Sequence, residues 1–321
     1  MADMRYRRLG TSGLTVSVVG IGCNNFGRKV DAAGTRAVVD AAIDHGITLF
    51  DTADVYGNQG GSEEFLGAAL KASGRRDDVL IATKFGGNMN GTNGPDWGAR
   101  GSRRYIVRAV EASLRRLATH YIDLYQMHQP DALTPIEETL SALDDLIRAG
   151  KVRYLGSSNF AGWRVADAAW VARTAHLTPF VSAQNEYSLL NRAVEADLVP
   201  ACERFGVGLL PYFPLASGLL TGKYRRDSPP PPGSRLAGDL WARRHADAPW
   251  DVIEQLERYA RERSLSILDV AIGGLAAKPT VASVIAGATT PDQVRANATA
   301  GNWTPSPEDL AQLDAITKDH P

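Results

Sequence analysis

The sequence predicts a closed (β/α)8 barrel with an N-terminal β-hairpin, and two observations carry that prediction. Short apolar, β-branched runs alternate with longer stretches of helical period, eight times along 321 residues. The runs are apolar almost throughout, not at every second residue, which is the pattern of parallel strands covered on both faces. Eight such units fit a barrel closed on itself better than an open doubly wound sheet. Residues 1–321 are read as one domain.

Tyr6–Ser17 comes first, with Thr11-Ser12-Gly13 between two short β-like pieces, and reads as a hairpin. The strand runs follow as Val16–Cys23, Thr48–Ala53, Val79–Lys84, Ile122–His128, Val152–Asn159, Phe180–Tyr187, Val207–Pro214 and Val281–Ala288. Helical stretches lie between and after them: Gly34–His45, Ser62–Ala72, Arg104–Ala118, Pro135–Ala149, Trp163–Ala175, Val194–Phe205, Trp250–Arg263 and Pro291–Thr299. Ser62, ahead of Glu63 and Glu64, is expected to cap a helix with a negative first turn. Gly46, Gly150 and Gly206 each fall just past a helix end, and Pro135 and Pro291 sit at first-turn positions. The pairs Glu137-Glu138 and Asp144-Asp145 read as solvated helix faces. Two connections exceed a turn: Phe85–Arg103 after the third strand and Leu215–Pro249 after the seventh. Loops of that length are usually functional or mobile. The Pro229–Pro232 run inside the second reads as a stiff exposed stretch.

Composition narrows the function. The 35 Lys+Arg against 36 Asp+Glu leave a formal charge of −1, which argues against a generally basic nucleic-acid surface. No apolar run suits a membrane span, and the N-terminus lacks a signal-peptide core. Cys23 and Cys202 are far apart and without metal spacing, so the expectation is a cytoplasmic protein with no metal site.

A barrel of this type reacts at the carboxyl ends of its strands. Those ends here carry Cys23-Asn24-Asn25, Asp51 with Tyr56 five residues on, Lys84, His128, Ser157-Ser158-Asn159, Gln184, Tyr212 and Gly287-Ala288-Thr289. Asp51 and Lys84 end apolar runs at the rim of a low-dielectric core, where pairing is expected. An ammonium beside a phenol favours the phenolate and lowers the tyrosine pKa from its ordinary value of about 10. Tyr56 is then a general acid, and an imidazole at His128 holds a carbonyl oxygen. This set suits protonation of an oxyanion while a nucleophile arrives at carbon. Taken singly, Asp51 and Lys84 also fit a structural ion pair, and Tyr56 a loop tyrosine. Other chemistries fit less well: Gly20-x-Gly22-x-x-Asn25 lacks the third glycine of a dinucleotide fingerprint, and no P-loop, H-E-x-x-H or G-x-S-x-G is present.

The residues resemble the aldo-keto reductases, nearer the bacterial branch related to potassium-channel β subunits. The likeness rests on Phe50-Asp51-Thr52-Ala53-Asp54-Val55-Tyr56-Gly57, Ala82-Thr83-Lys84, Tyr125-Gln126-Met127-His128, Gly156-Ser157-Ser158-Asn159-Phe160 and Gln184-Asn185-Glu186-Tyr187. It continues through Leu215–Tyr224 and Gly287–Gln293, spanning Tyr6 to Lys318. The resemblance implies NADPH, ahead of NADH, bound in extended form at the carboxyl face, and a small-molecule carbonyl substrate. It implies Tyr56 as general acid, Asp51 and Lys84 as its partners and His128 as the carbonyl-orienting residue. Gly22, Cys23, Asn24 and Asp51 are also expected to bind the cofactor. Ser158, Asn159 and Gln184 match the carboxamide side and Tyr212 the stacking ring. Leu215, Ala216, Ser217 and Lys223 fall in the pyrophosphate-side loop; Phe213, Pro214 and Arg235 are further expected cofactor contacts, with Lys223 or Arg235 as the cation for the 2′-phosphate. Gly287, Thr289, Gln293 and Asn297 match the phosphate and adenine end. Phe26, Val55, Phe85 and Trp97 are expected to wall the substrate cleft. Three positions depart from the pattern: Phe213 where many relatives have serine, Thr290 where a basic residue is common, and Ala296 where some carry glutamate. A cofactor-binding regulatory subunit, and a barrel recruited for dehydration or isomerisation, are the alternative functions. Oligomeric state is left open.

Overall fold

The computed structural model describes residues 4–238 and 241–318. An antiparallel hairpin, β1 (Tyr6–Arg8) and β2 (Thr15–Ser17), precedes a parallel sheet. The sheet runs β3 (Val19–Gly22), β4 (Leu49–Asp51), β5 (Leu80–Phe85), β6 (Ile122–Met127), β7 (Val152–Ser158), β8 (Phe180–Gln184) and β9 (Gly208–Leu209), with β10 (Val284–Gly287) beside β3. Its two edges meet: Leu209 N donates to Thr280 O at 2.8 Å, and Ala282 N to Leu209 O and Ile285 N to Pro211 O, each at 2.9 Å. The (β/α)8 barrel is therefore closed. Around it lie α1 (Ala32–Asp44), α2 (Tyr56–Ser73), α3 (Arg103–Arg116), α4 (Ile136–Arg148), α5 (Gly162–Thr174), α6 (Leu198–Phe205), α7 (Ala242–Ala246), α8 (Trp250–Glu262), α9 (Ile267–Ala276), α10 (Pro291–Ala300) and α11 (Pro307–Thr317).

Period-two alternation sorts the strand side chains. Phe50, Ile81, Tyr125 and Leu155 point outward into the helix-facing core. Leu49, Ala82 and Leu124 point inward and share one apolar cluster with Leu9, Leu14 and Val16 of the hairpin region. The hairpin thus plugs the amino end of the barrel. Two residues further along the same strands, in the same phase, come Asp51, Lys84 and Gln126. An apolar layer below and a polar layer above is the arrangement that aims the chemistry at the carboxyl end.

Several elements differ from the sequence reading. Val16 belongs to the hairpin, and the barrel strand begins at Val19. The seventh strand is regular only over Gly208–Leu209, but hydrogen bonds to the β8 side continue, Leu210 N donating to Ala183 O at 2.8 Å and Tyr212 N to Asn185 O at 3.0 Å, while Pro211, without an N–H, offers only its carbonyl to Ile285 N. Helices α7, α9 and α11 have no counterpart in the sequence reading; α9 (ILDVAIGGLA) is buried nearly all round, so it carries no amphipathic period to read. Ser62 caps nothing: its hydroxyl donates to Cys23 O and shares a hydrogen bond with Thr52, each 2.8 Å long. Asp144 is not solvated; it is buried and accepts from Thr178 Oγ1 at 2.6 Å. Among the described residues, no helix is long and apolar enough to cross a membrane.

The plug depends on one close approach. Gly10 has φ +58°, and a Cβ there would lie 2.2 Å from Gly206 O. Gly10→Ala is expected to lower the unfolding free energy by at least about 1–3 kcal/mol, the cost of a left-handed non-glycine residue. A urea midpoint unshifted at constant m-value contradicts that role.

Candidate active site

The floor of the site is a buried ion pair. Lys84 Nζ donates to Asp51 Oδ2 at 2.6 Å and to Thr52 O at 2.9 Å, and the lysine side chain has no solvent exposure. Gln126 and Gln184 donate to the other Asp51 oxygen at 3.0 and 2.8 Å. The carboxylate therefore receives donors from three further strands. Burial alone pulls the ammonium down, but Asp51 and then Tyr56 outweigh it, and the Lys84 pKa is raised.

Tyr56 stands over this pair, with the Lys84 nitrogen 5.1 Å from its ring centre. The chain turns sharply after it: Gly57, Asn58, Gln59 and Gly60 all have positive φ. His128 follows β6, meets the Tyr56 ring edge-on at 5.7 Å between centroids, and keeps Nδ1 buried without a hydrogen-bond partner. Burial, then the Lys84 charge, lowers the His128 pKa to about 3, so the imidazole is neutral at neutral pH. The Tyr56 phenol departs from expectation. Desolvation pushes its pKa above the ordinary value, and Lys84 recovers only part of that rise. Tyr56 is thus a stable phenol whose conjugate base the ammonium would stabilise.

Above the floor opens a cavity of about 710 Å³. It brings together Asn24, Asp51, Tyr56, His128, Ser158, Asn159, Gln184 and Tyr212, then Phe213, Pro214, Leu215, Ser217, Lys223 and Arg235 along one wall. Gly287, Thr289, Gln293 and Asn297 line it from β10 and α10, whose N-terminus is capped by Thr290 and begins with Pro291. Tyr212 is tied down, donating its hydroxyl to Asn159 Oδ1 at 2.8 Å, while Asn159 Nδ2 donates to His128 O at 2.8 Å. Phe213 lies near two guanidiniums, those of Arg235 and Arg244, 5.6 and 5.9 Å from its ring centre.

Other expected residues lie outside this lining. Gly22, Cys23 and Ala216 sit behind it; Cys23 is buried, with its thiol aimed at Ile21 O at 3.6 Å. Lys84, the buried member of the floor pair, does not reach the lining. Of the four residues expected to wall a substrate cleft, Phe26 and Phe85 are fully buried in the core, Phe85 stacked on Tyr125 at 4.8 Å. They follow the outward phase of the barrel and the packing of its first loop. Val55 is half-buried against Gly87, and Trp97 is 68% exposed beneath the Arg104 guanidinium. Sequence reasoning missed Lys29 and Arg244, which no strand end signals, and Gln126, which the period-two phase of Lys84 would have found.

The sequence pattern of the Aldo/keto reductase family matches residues 18–318. The chain belongs to that family. Among its relatives, a probable voltage-gated potassium channel subunit beta of Oryza sativa subsp. japonica is 36% identical over 327 residues, spanning 99% of this chain and 98% of that one. An uncharacterised oxidoreductase of Bacillus subtilis (strain 168) is 37% identical, spanning 91% and 89%. An L-glyceraldehyde 3-phosphate reductase of Escherichia coli (strain K12) is 35% identical, spanning 97% and 92%. In this aldo/keto reductase the neutral His128 has a measurable consequence. Between the unfolded pKa of about 6.5 and the folded value of about 3, the unfolded chain binds the extra proton. Wild type is therefore expected to lose stability relative to His128→Asn as pH falls from roughly 6.5 toward 4, and parallel stability curves contradict it.

Proposed function

We propose that the chain reduces an aldehyde or ketone to the alcohol, using NADPH ahead of NADH, with Tyr56 as the proton donor. The observation that carries this reading is the buried Lys84–Asp51 pair, set under Tyr56 and beside a neutral His128 at the bottom of one cavity. Family membership supports carbonyl reduction in general.

The lining fits a nicotinamide dinucleotide. Ser158, Asn159 and Gln184 offer amide and hydroxyl groups beside the floor, and Tyr212 offers a ring held in place. Asn24 lines the same cavity, with Gly22 and Cys23 behind it. Lys223 and Arg235 line the far wall, and among the described residues neither makes an ion pair. Leu215 and Ser217 accompany them, and the N-terminus of α10 favours an anion near Gly287, Thr289, Gln293 and Asn297. When bound, the cofactor supplies the hydride to the carbonyl carbon.

This chain's residues supply the rest. His128, uncharged, lines the cavity and can hold the carbonyl oxygen by a ring N–H hydrogen bond without giving up a proton. Tyr56 donates its proton to that oxygen as it becomes an alkoxide. The Lys84 ammonium stabilises the phenolate left behind, and Asp51 keeps the lysine charged and aimed. Because burial keeps Tyr56 protonated, the donor is loaded throughout the neutral range. A purely regulatory, cofactor-binding role would use the cavity wall but leaves the neutral histidine beside the phenol without a task. The cytoplasm remains the proposed location.

Tyr56→Phe is expected to lower kcat by about 10²–10⁴ with NADPH affinity little changed. Steady NADPH oxidation with 4-nitrobenzaldehyde reads the first and fluorescence titration the second. Wild-type-like turnover by the variant contradicts the assignment. The Michaelis constant is expected to be lower for NADPH than for NADH, with Arg235 and Lys223 as the cations; equal constants contradict that preference.

A further inference from the structure

A second buried polar network lies outside the cavity, against the segment that carries Tyr56. Glu63 of α2 is wholly buried and accepts from Thr83 Oγ1 at 2.6 Å and from Arg116 Nε at 2.7 Å. Arg116, at the end of α3, also donates Nη1 to Asn93 Oδ1 at 3.2 Å. Asn93 belongs to the long loop after β5, and its Nδ2 donates to Asp54 Oδ2 at 3.3 Å. Asp54, two residues before Tyr56, is buried, donates its backbone N–H to Lys84 O at 3.1 Å and leaves Oδ1 without a partner. The network thus joins α2, α3, β5, the long loop and the Tyr56 segment.

Two features show that it bears on geometry beyond filling space. The four residues after Tyr56 all have positive φ, and two of them, Asn58 and Gln59, are not glycine. Such backbone persists only where its surroundings over-determine it. Arg116 packs directly on that stretch, since a Cβ at Gly60 would lie 2.5 Å from Arg116 Cδ. The long loop touches the same stretch at two further points. Thr92 Oγ1 donates to Gln59 Oε1 at 3.1 Å, and Gly87 leaves room for Val55, whose Cγ1 would lie 2.4 Å from a Cβ there. Charge follows the same plan. Glu63 takes the guanidinium, while burial first and Glu63 second push the Asp54 pKa well above the usual carboxylate range.

We infer that Arg116, Glu63 and Asn93 are positioning residues that dock the 86–102 loop onto residues 54–60 and so fix the Tyr56 hydroxyl relative to Lys84 and His128. None of the three lines the cavity. The inference rests on Tyr56 being the proton donor. A displacement of about 1 Å at a reacting group costs up to about 100-fold in rate, so a remote clamp of this kind registers in kcat.

The test uses Asn93→Ala and the pair Arg116→Met with Glu63→Gln, because Arg116→Met alone strands a buried carboxylate. Hydrogen exchange is expected to rise by about tenfold or more in residues 54–60 and 86–102 together, with the rest of the barrel unchanged. Turnover is expected to fall about 10- to 100-fold while the NADPH dissociation constant stays within about threefold. Combining Asn93→Ala with the pair should cost no more than the worse alone, because the three act through one contact chain. Arg116→Lys, which keeps the charge without the fork, should fall between wild type and the pair. Exchange confined to 86–102 with unchanged kcat overturns the inference, as does joint loss of turnover and NADPH affinity with exchange rising everywhere. A wild-type protein that reduces no carbonyl would sink the proposed function instead, and the exchange pattern would still decide whether the clamp exists.

Discussion

A lysine with no solvent exposure is tolerable in this barrel only because Asp51 meets it at 2.6 Å and two glutamines complete the carboxylate. Breaking such a pair leaves an uncompensated buried charge, at a cost of about 3–5 kcal/mol. The barrel makes the arrangement possible. Adjacent parallel strands present residues of the same phase to one interior, so β4, β5, β6 and β8 each deliver a single polar group to the same layer. Beneath it, Leu49, Ala82 and Leu124, sealed by the hairpin, keep water from the other side. The ammonium acts at short range in a dry setting, where an electrostatic interaction is strongest.

The cavity is electrically lopsided in a way that total charge hides. Its floor combines a neutral imidazole, a phenol and an ion pair, so it presents almost no net charge to a ligand. Its far wall holds Lys29, Lys223 and Arg235, with Phe213 offering its ring face to Arg235 and Arg244. A chain with formal charge −1 thereby concentrates cations around one end of a single opening. That separation suits a ligand that is anionic at one end and reacts as a neutral group at the other.

How much of this was legible in the sequence depended on whether local pattern or distant packing decided the outcome. Asp51, Lys84 and His128 each end an apolar run, and the rule that such barrels react at their carboxyl ends places them without further knowledge. The role of Glu63 is hidden in the sequence because nothing local distinguishes a first-turn acid from one that pairs with Arg116, 53 residues away. Asp144 was misread for the same reason, its partner Thr178 lying 34 residues on. Helix α9 escaped because a helix buried all round shows no polar face. The direction of the Tyr56 shift was misjudged because the sequence shows which charge is near but not how much water is gone.

The central claim is that the Lys84 ammonium draws the Tyr56 phenol toward ionisation. Carbon-13 NMR of the Tyr56 ring carbon bearing the hydroxyl, followed with pH in wild type and in Lys84→Met, tests it directly. The wild-type resonance is expected to begin to move at lower pH than that of the variant. Coincident titration curves, or a variant that ionises first, would contradict it.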